Sequence, residues 1–355
     1  MTSPAGCQHD RARARIWVRM SNWLGDIIMS LPLVRAMREA HPGAELTLFA
    51  KNNFAPFLRA LEIADKIEPL PARASGLRGL GYWNHFWKLR AQRPDTHVLF
   101  TNSLRGDIEA WLAGSPRRLG IRRPGKPRPL LTHGWRLPRE LDPARNHQTR
   151  VWERWLRESG LVNSVSFAPV IPPAMFAPSS QLIIGMVCGA ENSFCKCWPP
   201  QHWRALIKQL SASPPANAAR IRLFGTERDA PVAASIAGGL PPATVENLAG
   251  KTSLCEFAER LVECDFVISN DTGGMHLANL IGVPVIALFG PTNPVRTGPV
   301  FESLAIILQP EGCPATGGLP VENITPARVA GACRAMMENP SGVPRAAASA
   351  APITA

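Results

Sequence analysis

Three short stretches place residues of useful chemistry just after apolar runs. The first is "CDFVISNDTGGMHLANLIGVPVIALFGPTNP" (264–294), where Asp271, Thr272, Gly273 and Gly274 end one apolar run and open a helical one. Backbone N–H groups at a helix start bind anions, glycines let a ligand come close, and a carboxylate accepts hydrogen bonds from hydroxyls. That combination suits a sugar phosphate. His276, in the first helical turn, either faces the same point or caps the helix, and "FGPTNP" forms an adjacent wall. A lone Asp-Thr-Gly also occurs in aspartic proteases, but there it follows an all-β pattern, and here it does not.

The second stretch is "VCGAENSFCKCWPPQHW" (187–203). Pro199 and Pro200 start a helix, and Lys196 stands just ahead of it, where a cation opposes the helix dipole. A bound anion would relieve that conflict, which makes Lys196 a candidate phosphate grip. The plainer reading is a surface lysine beside a core Trp198. The third stretch is "MSNWLGDIIMSLP" (20–32), in which Gly25 permits a turn and close backbone approach and Asp26 opens a helix. Asp26 reads either as an acid complementing the dipole or as a general base held at a cleft.

These residues need elements to hold them. "ARIWVRM" (14–20), "ELTLFA" (45–50), "KIEPL" (66–70) and "THVLF" (96–100) read as strands, with helices over 26–44, near 81–92 and over 147–161. After the proline-rich "SFAPVIPPAMFAPSS" (166–180) a second alternation begins with strands at 182–187, 220–225, 244–250, 266–269 and 284–290. Helices over 200–211, 229–240, 253–264 and 274–282 separate them. Two βα series imply two doubly wound parallel sheets, with ligands beyond the carboxyl ends of the strands and a cleft between domains.

The chain has 355 residues, enough for two domains, with 45% hydrophobic and 19% charged residues as in soluble proteins. It has no apolar run of membrane-spanning length, and its arginine-bearing start lacks the apolar core of a signal peptide. Eight scattered cysteines then read as free cytosolic thiols, and the Cys195-x-Cys197 pair lacks partners at zinc spacing. A net charge of +12 asks for an anionic partner, and much of it lies in "RRLGIRRPGKPRPLLTHGWRLPR" (117–139). That segment reads as a solvated, proline-rich basic loop or as a surface for phosphates, carboxylates or anionic lipid. No nucleic-acid recognition module or stacking platform is visible.

Together, "NWLGDIIMSLPLVRAM", "NSLRGDIEAWLAGSPRRLGI", "GAENSFCKCWPPQHW", "LFGTERD", "NLAGKTSLCEFAERL" and "SNDTGGMHLANLIGVPVIALFGPTNP" resemble, in order, the motifs of the glycosyltransferase family 9 heptosyltransferases, in particular the heptosyltransferase II type. The resemblance spans roughly residues 15–335. It implies a GT-B fold: an acceptor-binding domain over 15–168, a linker over 169–180, a donor-binding domain over 181–338, an extension over 1–14 and a tail over 339–355. It implies inverting transfer of L-glycero-D-manno-heptose from ADP-heptose, with no metal or other cofactor. The acceptor would be a Kdo- or heptose-bearing lipid A, met by a cytoplasmic protein peripheral at the inner membrane. Residue by residue, Asp26 matches the base, Lys196 the lysine that neutralises the diphosphate, and Asp271 the acid that contacts the heptose. Thr272 and Gly273 line the phosphates with His276 behind them, Gly189, Ala190 and Glu191 form the turn before Lys196, Asp229 holds the ribose, and Thr252 borders the adenine. Asn22, Arg117, Arg118, Arg122 and Arg123 fall to the acceptor side. Two positions depart from the pattern: Cys197 replaces a basic residue, and Gly274 a bulkier apolar one. The competing readings are transfer from another nucleotide sugar and a non-catalytic binding protein of the same fold. A dinucleotide dehydrogenase is disfavoured, because no G-x-G-x-x-G follows the first strand.

Overall fold

The structure, a computed structural model, describes residues 13–71, 77–170, 181–190, 193–212 and 214–338. The expected tail, most of the expected amino-terminal extension and most of the proline-rich segment lie outside the described residues. The chain divides into two compact units. One gathers the residues up to Met20 with Met37–Leu137, and the other gathers Ser21–Ala36 with everything from Pro138.

The first unit holds a six-stranded sheet of β1 (Arg15–Arg19), β2 (Glu45–Lys51), β3 (Lys66–Leu70), β4 (Thr96–Leu99), β5 (Arg117–Arg122) and β6 (His133–Arg136). Its order is β3-β2-β1-β4-β5-β6, and every neighbouring pair is parallel. The helices of this half of the chain are α1 (Leu24–Ala40), α2 (Ala55–Ala60), α3 (Leu77–Leu89), α4 (Leu104–Leu112) and α5 (Gln148–Glu158). By the division above, the first part of α1 and all of α5 belong to the second unit. Central β1 and β4 are buried along nearly their whole length, as strands covered on both faces must be.

One face of this sheet mixes aromatic and charged groups. Trp17, Phe49, Tyr82 and Phe86 pack together, and the buried Arg19 donates from Nε to Glu109 Oε2 at 2.6 Å. Tyr82 donates its hydroxyl to the other Glu109 oxygen. His97 lies edge-on to Trp17, and burial, helped by Arg19 and Arg118, pushes its imidazole down to about 3. His97 therefore stays neutral in the fold while an unfolded chain would protonate near 6.5. Its contribution to stability is complete above about 6.5 and is lost progressively as pH falls toward about 3. His97→Gln is expected to flatten the decline of thermal midpoint across that window. An unchanged slope in the variant would show that other groups drive acid unfolding.

The basic segment 117–139 differs from expectation. It is not a solvated loop, because β5 and β6 run through it as an edge of the sheet. Arg128 is buried, donating from Nε to Asp107 Oδ2 at 3.0 Å and from Nη1 to the Ile121 carbonyl at 3.1 Å. Its guanidinium lies where any Cβ on Gly120 would collide with it. Arg118 donates to the Leu130 and Ser115 carbonyls at 2.7 and 2.6 Å, and Arg122 to the Leu131 carbonyl at 3.3 Å. Much of the positive charge here is used to hold the segment's own backbone.

The second unit holds β7 (Ile183–Val187), β8 (Arg220–Phe224), β9 (Val245–Asn247), β10 (Phe266–Asn270), β11 (Val285–Leu288) and β12 (Ala305–Leu308), ordered β12-β11-β10-β7-β8-β9 and again all parallel. Its helices are α6 (Pro200–Ser211), α7 (Ala230–Ala237), α8 (Leu254–Val262), α9 (Gly273–Leu280), α10 (Pro294–Thr297) and α11 (Pro326–Glu338). Trp198, Trp203, Leu206, Leu223, Ile268, Ile286, Val329 and Met336 share one core. Local chemistry sets the helix starts: Ser253 and Glu256 form a capping box at α8, and Thr272 Oγ1 accepts from the Gly274 N–H at 3.2 Å at α9. The winding reverses between β7 and β10, so the loops at their carboxyl ends, carrying Gly189 and Asp271, flank the switch point of the sheet.

Candidate active site

The site grows from loops of the second unit, and Asn270, at the end of β10, ties one of them at both ends. Its buried amide donates from Nδ2 to the Cys188 carbonyl at 2.7 Å and to that of Gly189 at 3.3 Å, and its Oδ1 accepts from the Trp198 N–H at 3.1 Å. One side chain thus fixes both ends of the segment that carries Lys196, next to Asp271 in the chain. Nothing in the sequence reading gave Asn270 a role. The cue was its place, a polar residue at the last position of a buried strand.

Lys196 Nζ donates to Asp271 Oδ2 at 2.7 Å, and Asp271 is nearly inaccessible to water. The anion that relieves a lysine ahead of α6 is, in this structure, the Asp271 carboxylate. Trp198, the core residue of the plainer reading, is indeed fully buried, and Lys196 beside it is not a free surface lysine.

Asp26 joins them through the meeting of two helix amino termini. The first turns of α1 and α9 touch where both lack side chains: a Cβ on Gly25 would stand 2.8 Å from His276 Cδ2, and one on Gly273 2.8 Å from Leu24 Cβ. Gly25 is helical, so its freedom is not used for a turn; its missing side chain makes room for an imidazole. His276 does not cap α9, whose cap is Thr272; it is buried on Gly25, and burial brings its imidazole down to about 4. Gly25→Ala is expected to cut activity roughly tenfold or more, since backbone or ring must shift about half an ångström in a packed site. His276→Ala in the same chain should restore part of that loss, and equal activity in Gly25→Ala and wild type would remove the steric argument.

The Asp26 carboxylate accepts from Ser21 Oγ at 3.0 Å. Burial holds it above the ordinary carboxylate value, with Asp271 adding to the rise, while the Ser21 hydrogen bond, Arg296 and Lys196 oppose it. Arg296 was also missed by the sequence reading. It rides on α10, whose N-cap Asn293 accepts from the Val295 and Arg296 N–H groups. His147 Nε2 donates to the Gly298 carbonyl at 3.0 Å, and Asn293 Nδ2 to the Ala144 carbonyl at 2.6 Å, pinning α10 at both ends. The signal available was "NPVR", a capping Asn before a helix-starting Pro with a cation in the first turn.

The remaining expected donor residues in the described chain belong to the same unit. Asp229 accepts from the Thr226 N–H and hydroxyl, both at 2.8 Å, and its carboxyl lies where a Cβ on Gly189 would fall. Cys197, whose thiol is pushed up by burial and by Asp229, is near the Ala190 backbone. The Gly250 turn that leads to Thr252 packs on Glu227. Gly274 has a local reason: Val187 Cγ1 occupies the space a larger residue would need, 2.9 Å from the position of a Cβ. Glu191 lies outside the described residues. Asn22 is part-exposed just before α1, whereas Arg117, Arg118, Arg122 and Arg123 stand in the first unit, on β5 and the turn after it. Among the described residues no three His, Cys, Asp or Glu side chains cluster closely enough to hold a metal ion, and no helix is long and apolar enough to cross a membrane.

The arrangement puts a carboxylate of raised proton affinity, an ammonium and two helix amino termini around one point. Comparison with known proteins agrees on the kind of molecule that carries it. Residues 165–318 match glycosyltransferase family 9 (heptosyltransferase). The chain is 28% identical to lipooligosaccharide heptosyltransferase 2 of Haemophilus influenzae and 27% identical to lipopolysaccharide heptosyltransferase 2 of Escherichia coli, each over 82% of this chain and 87% of the relative. Among solved structures, ADP-heptose lipopolysaccharide heptosyltransferase II of E. coli superposes with a TM-score of 0.77 at 25% identity, covering 92% of this chain and 99% of the other. E. coli heptosyltransferase WaaC with ADP shares the fold, with a TM-score of 0.72 at 20% identity over the same shares of the two chains.

Proposed function

Because the chain is a glycosyltransferase of family 9, with the GT-B architecture of two parallel sheets, we propose that it transfers heptose from ADP-heptose to the inner core of lipopolysaccharide, with inversion and without a metal. The observation that carries the chemistry is the Asp26, Lys196 and Asp271 constellation at the joined amino termini of α1 and α9. Asp26 takes the proton of the acceptor hydroxyl as that oxygen attacks the anomeric carbon. The bond from that carbon to the diphosphate breaks on the opposite face, and the electron pair leaves with ADP. Charge then grows on the departing phosphate, where Lys196 and the N–H groups at Thr272–Gly274 stabilise it.

The donor diphosphate competes with Asp271 for Lys196. As Lys196 turns to the phosphate, Asp271 is free to accept from sugar hydroxyls, so donor binding rearranges the pair. Gly189, Ala190, Asp229 and Thr252 line the nucleotide end. Asn22 and the arginines Arg117, Arg118, Arg122 and Arg123 meet the anionic acceptor, a Kdo- or heptose-bearing lipid A, at the cytoplasmic face of the inner membrane.

The test is incubation with ADP-heptose and a Kdo-lipid A or monoheptosyl acceptor, followed by mass spectrometry. A product heavier by one heptose, formed equally in EDTA, is expected. No product with ADP-heptose but transfer from another nucleotide sugar would replace the donor in this reading. Loss in EDTA, restored by magnesium or manganese, would overturn its metal-free chemistry.

A further inference from the structure

Two helices of the first unit present an aromatic and basic face that neither the sheet nor the site uses. Along α3, Leu80, Trp83 and Trp87 recur at helical spacing, and along α4 so do Leu104, Ile108 and Trp111. The inward residues Tyr82, Phe86 and Leu89 serve the core, and Trp83 is half-buried against it. The outward ones are left in water: Trp87 is 55% and Trp111 50% exposed, and Leu80 and Leu104 more so. Single exposed apolar residues need no explanation, but two stripes on helices that pack against each other make a patch.

Arginines join the two helices at both ends. Arg105 of α4 lies 5.5 Å from the Tyr82 ring and 5.9 Å from that of Trp83, both on α3. Arg90, just past α3, lies 5.2 Å from the Trp87 ring, and its stem rests against Gly114, just past α4. Lys88 and Arg93 add exposed cations. Acids that could cancel this charge are missing from the sequence of α3, and those of α4 are turned inward: Asp107 and Glu109 are buried and paired with Arg128 and Arg19.

We propose that the α3–α4 face docks on an anionic lipid bilayer. Tryptophans favour the boundary between headgroups and acyl chains, leucines enter below it, and surrounding arginines and lysines meet lipid phosphates. Shallow apolar insertion and electrostatic attraction are the two signals that a reversible peripheral contact needs. The sequence alone placed membrane attraction on residues 117–139, where Arg118, Arg122 and Arg128 donate to carbonyls of the same segment. On α3 and α4, by contrast, exposed cations stand beside exposed aromatic groups.

The experiment is co-sedimentation of the full chain with vesicles of phosphatidylethanolamine and phosphatidylglycerol, and with phosphatidylcholine alone, without donor or acceptor. Its outcome is thus independent of the transfer reading. The wild type is expected to pellet with the anionic vesicles, less so at high salt, and weakly with phosphatidylcholine. Trp87→Ser with Trp111→Ser should lower the partition coefficient roughly tenfold or more, and Lys88→Glu with Arg93→Glu should do the same without touching an apolar group. Circular dichroism and the thermal midpoint check that each variant is folded, and the charge variant decides if the tryptophan variant is not. Equal sedimentation of folded variants and wild type would overturn the proposal. So would a wild type that ignores anionic vesicles but forms dimers that the tryptophan changes dissolve, since the face would then be covered by a second copy.

Discussion

Asp26→Asn is expected to lower kcat by roughly 10²-fold or more while leaving the donor KM nearly unchanged. Asparagine keeps the shape and can still accept from Ser21, so the loss would report the proton acceptor and not the packing of α1. The wild-type rate should fall on the acid side around a value above the ordinary carboxylate 3.8, because burial makes the ionised form costly. The same shift fixes the sign of a stability change. A group whose pKa is raised by folding binds its proton more tightly in the native state, so stability falls as pH rises from the unfolded value through the raised one. At neutral pH the ionised Asp26 is therefore a net cost, and its amide should melt a few degrees higher than wild type, with the gap closing in acid. Near-normal turnover would remove the base. Full loss of turnover together with a lower melting temperature would mean that Asp26 holds the structure instead.

The alternation of apolar runs was enough to read the two parallel sheets, because fully buried strands such as β1, β7, β10 and β11 leave a continuous apolar signal. The edge strands β3 and β9 were read as well, but β5 and β6 were not. β5 reads Arg-Arg-Leu-Gly-Ile-Arg and β6 His-Gly-Trp-Arg, so charge and proline nearby suggested a loop. Only the sheet shows why arginines belong there: their stems cover it and their heads bind carbonyls of the same segment. β12, at the other sheet's edge, and α11 behind it also went unread.

In the site, the single residues were legible, since each stands after a strand and before a helix, where chemistry is expected. Their partners were not. The pairing of Lys196 with Asp271 spans 75 positions, and the seat of His276 on Gly25 joins two helices far apart in the chain. No periodicity encodes such a pair. Gly25 shows the difficulty well, because a glycine needed for a turn and one needed for a neighbour's ring look identical in sequence.

Lys196→Met and Asp271→Asn are expected to displace the acid limb of the rate profile in opposite directions. Lys196 helps keep the Asp26 proton affinity down and Asp271 helps keep it up, so removing the cation should move the limb to higher pH and removing the anion to lower pH. The methionine change should also cost about 10²–10³-fold in turnover with ADP-heptose, as expected when the main countercharge to a leaving diphosphate is lost. Asp271→Asn should cost less in kcat and more in donor KM, since it frees Lys196 for the phosphate but weakens the hold on the sugar. Stability separates these effects from simple unfolding. Methionine leaves a buried carboxylate without its partner, which costs about 1–3 kcal/mol, whereas the double variant has neither charge and should recover much of that loss. If both single variants keep the wild-type acid limb and donor KM, the pair is structural, and the charge on the departing phosphate must be met by another group, for which Arg296 is the nearest candidate by its action on Asp26.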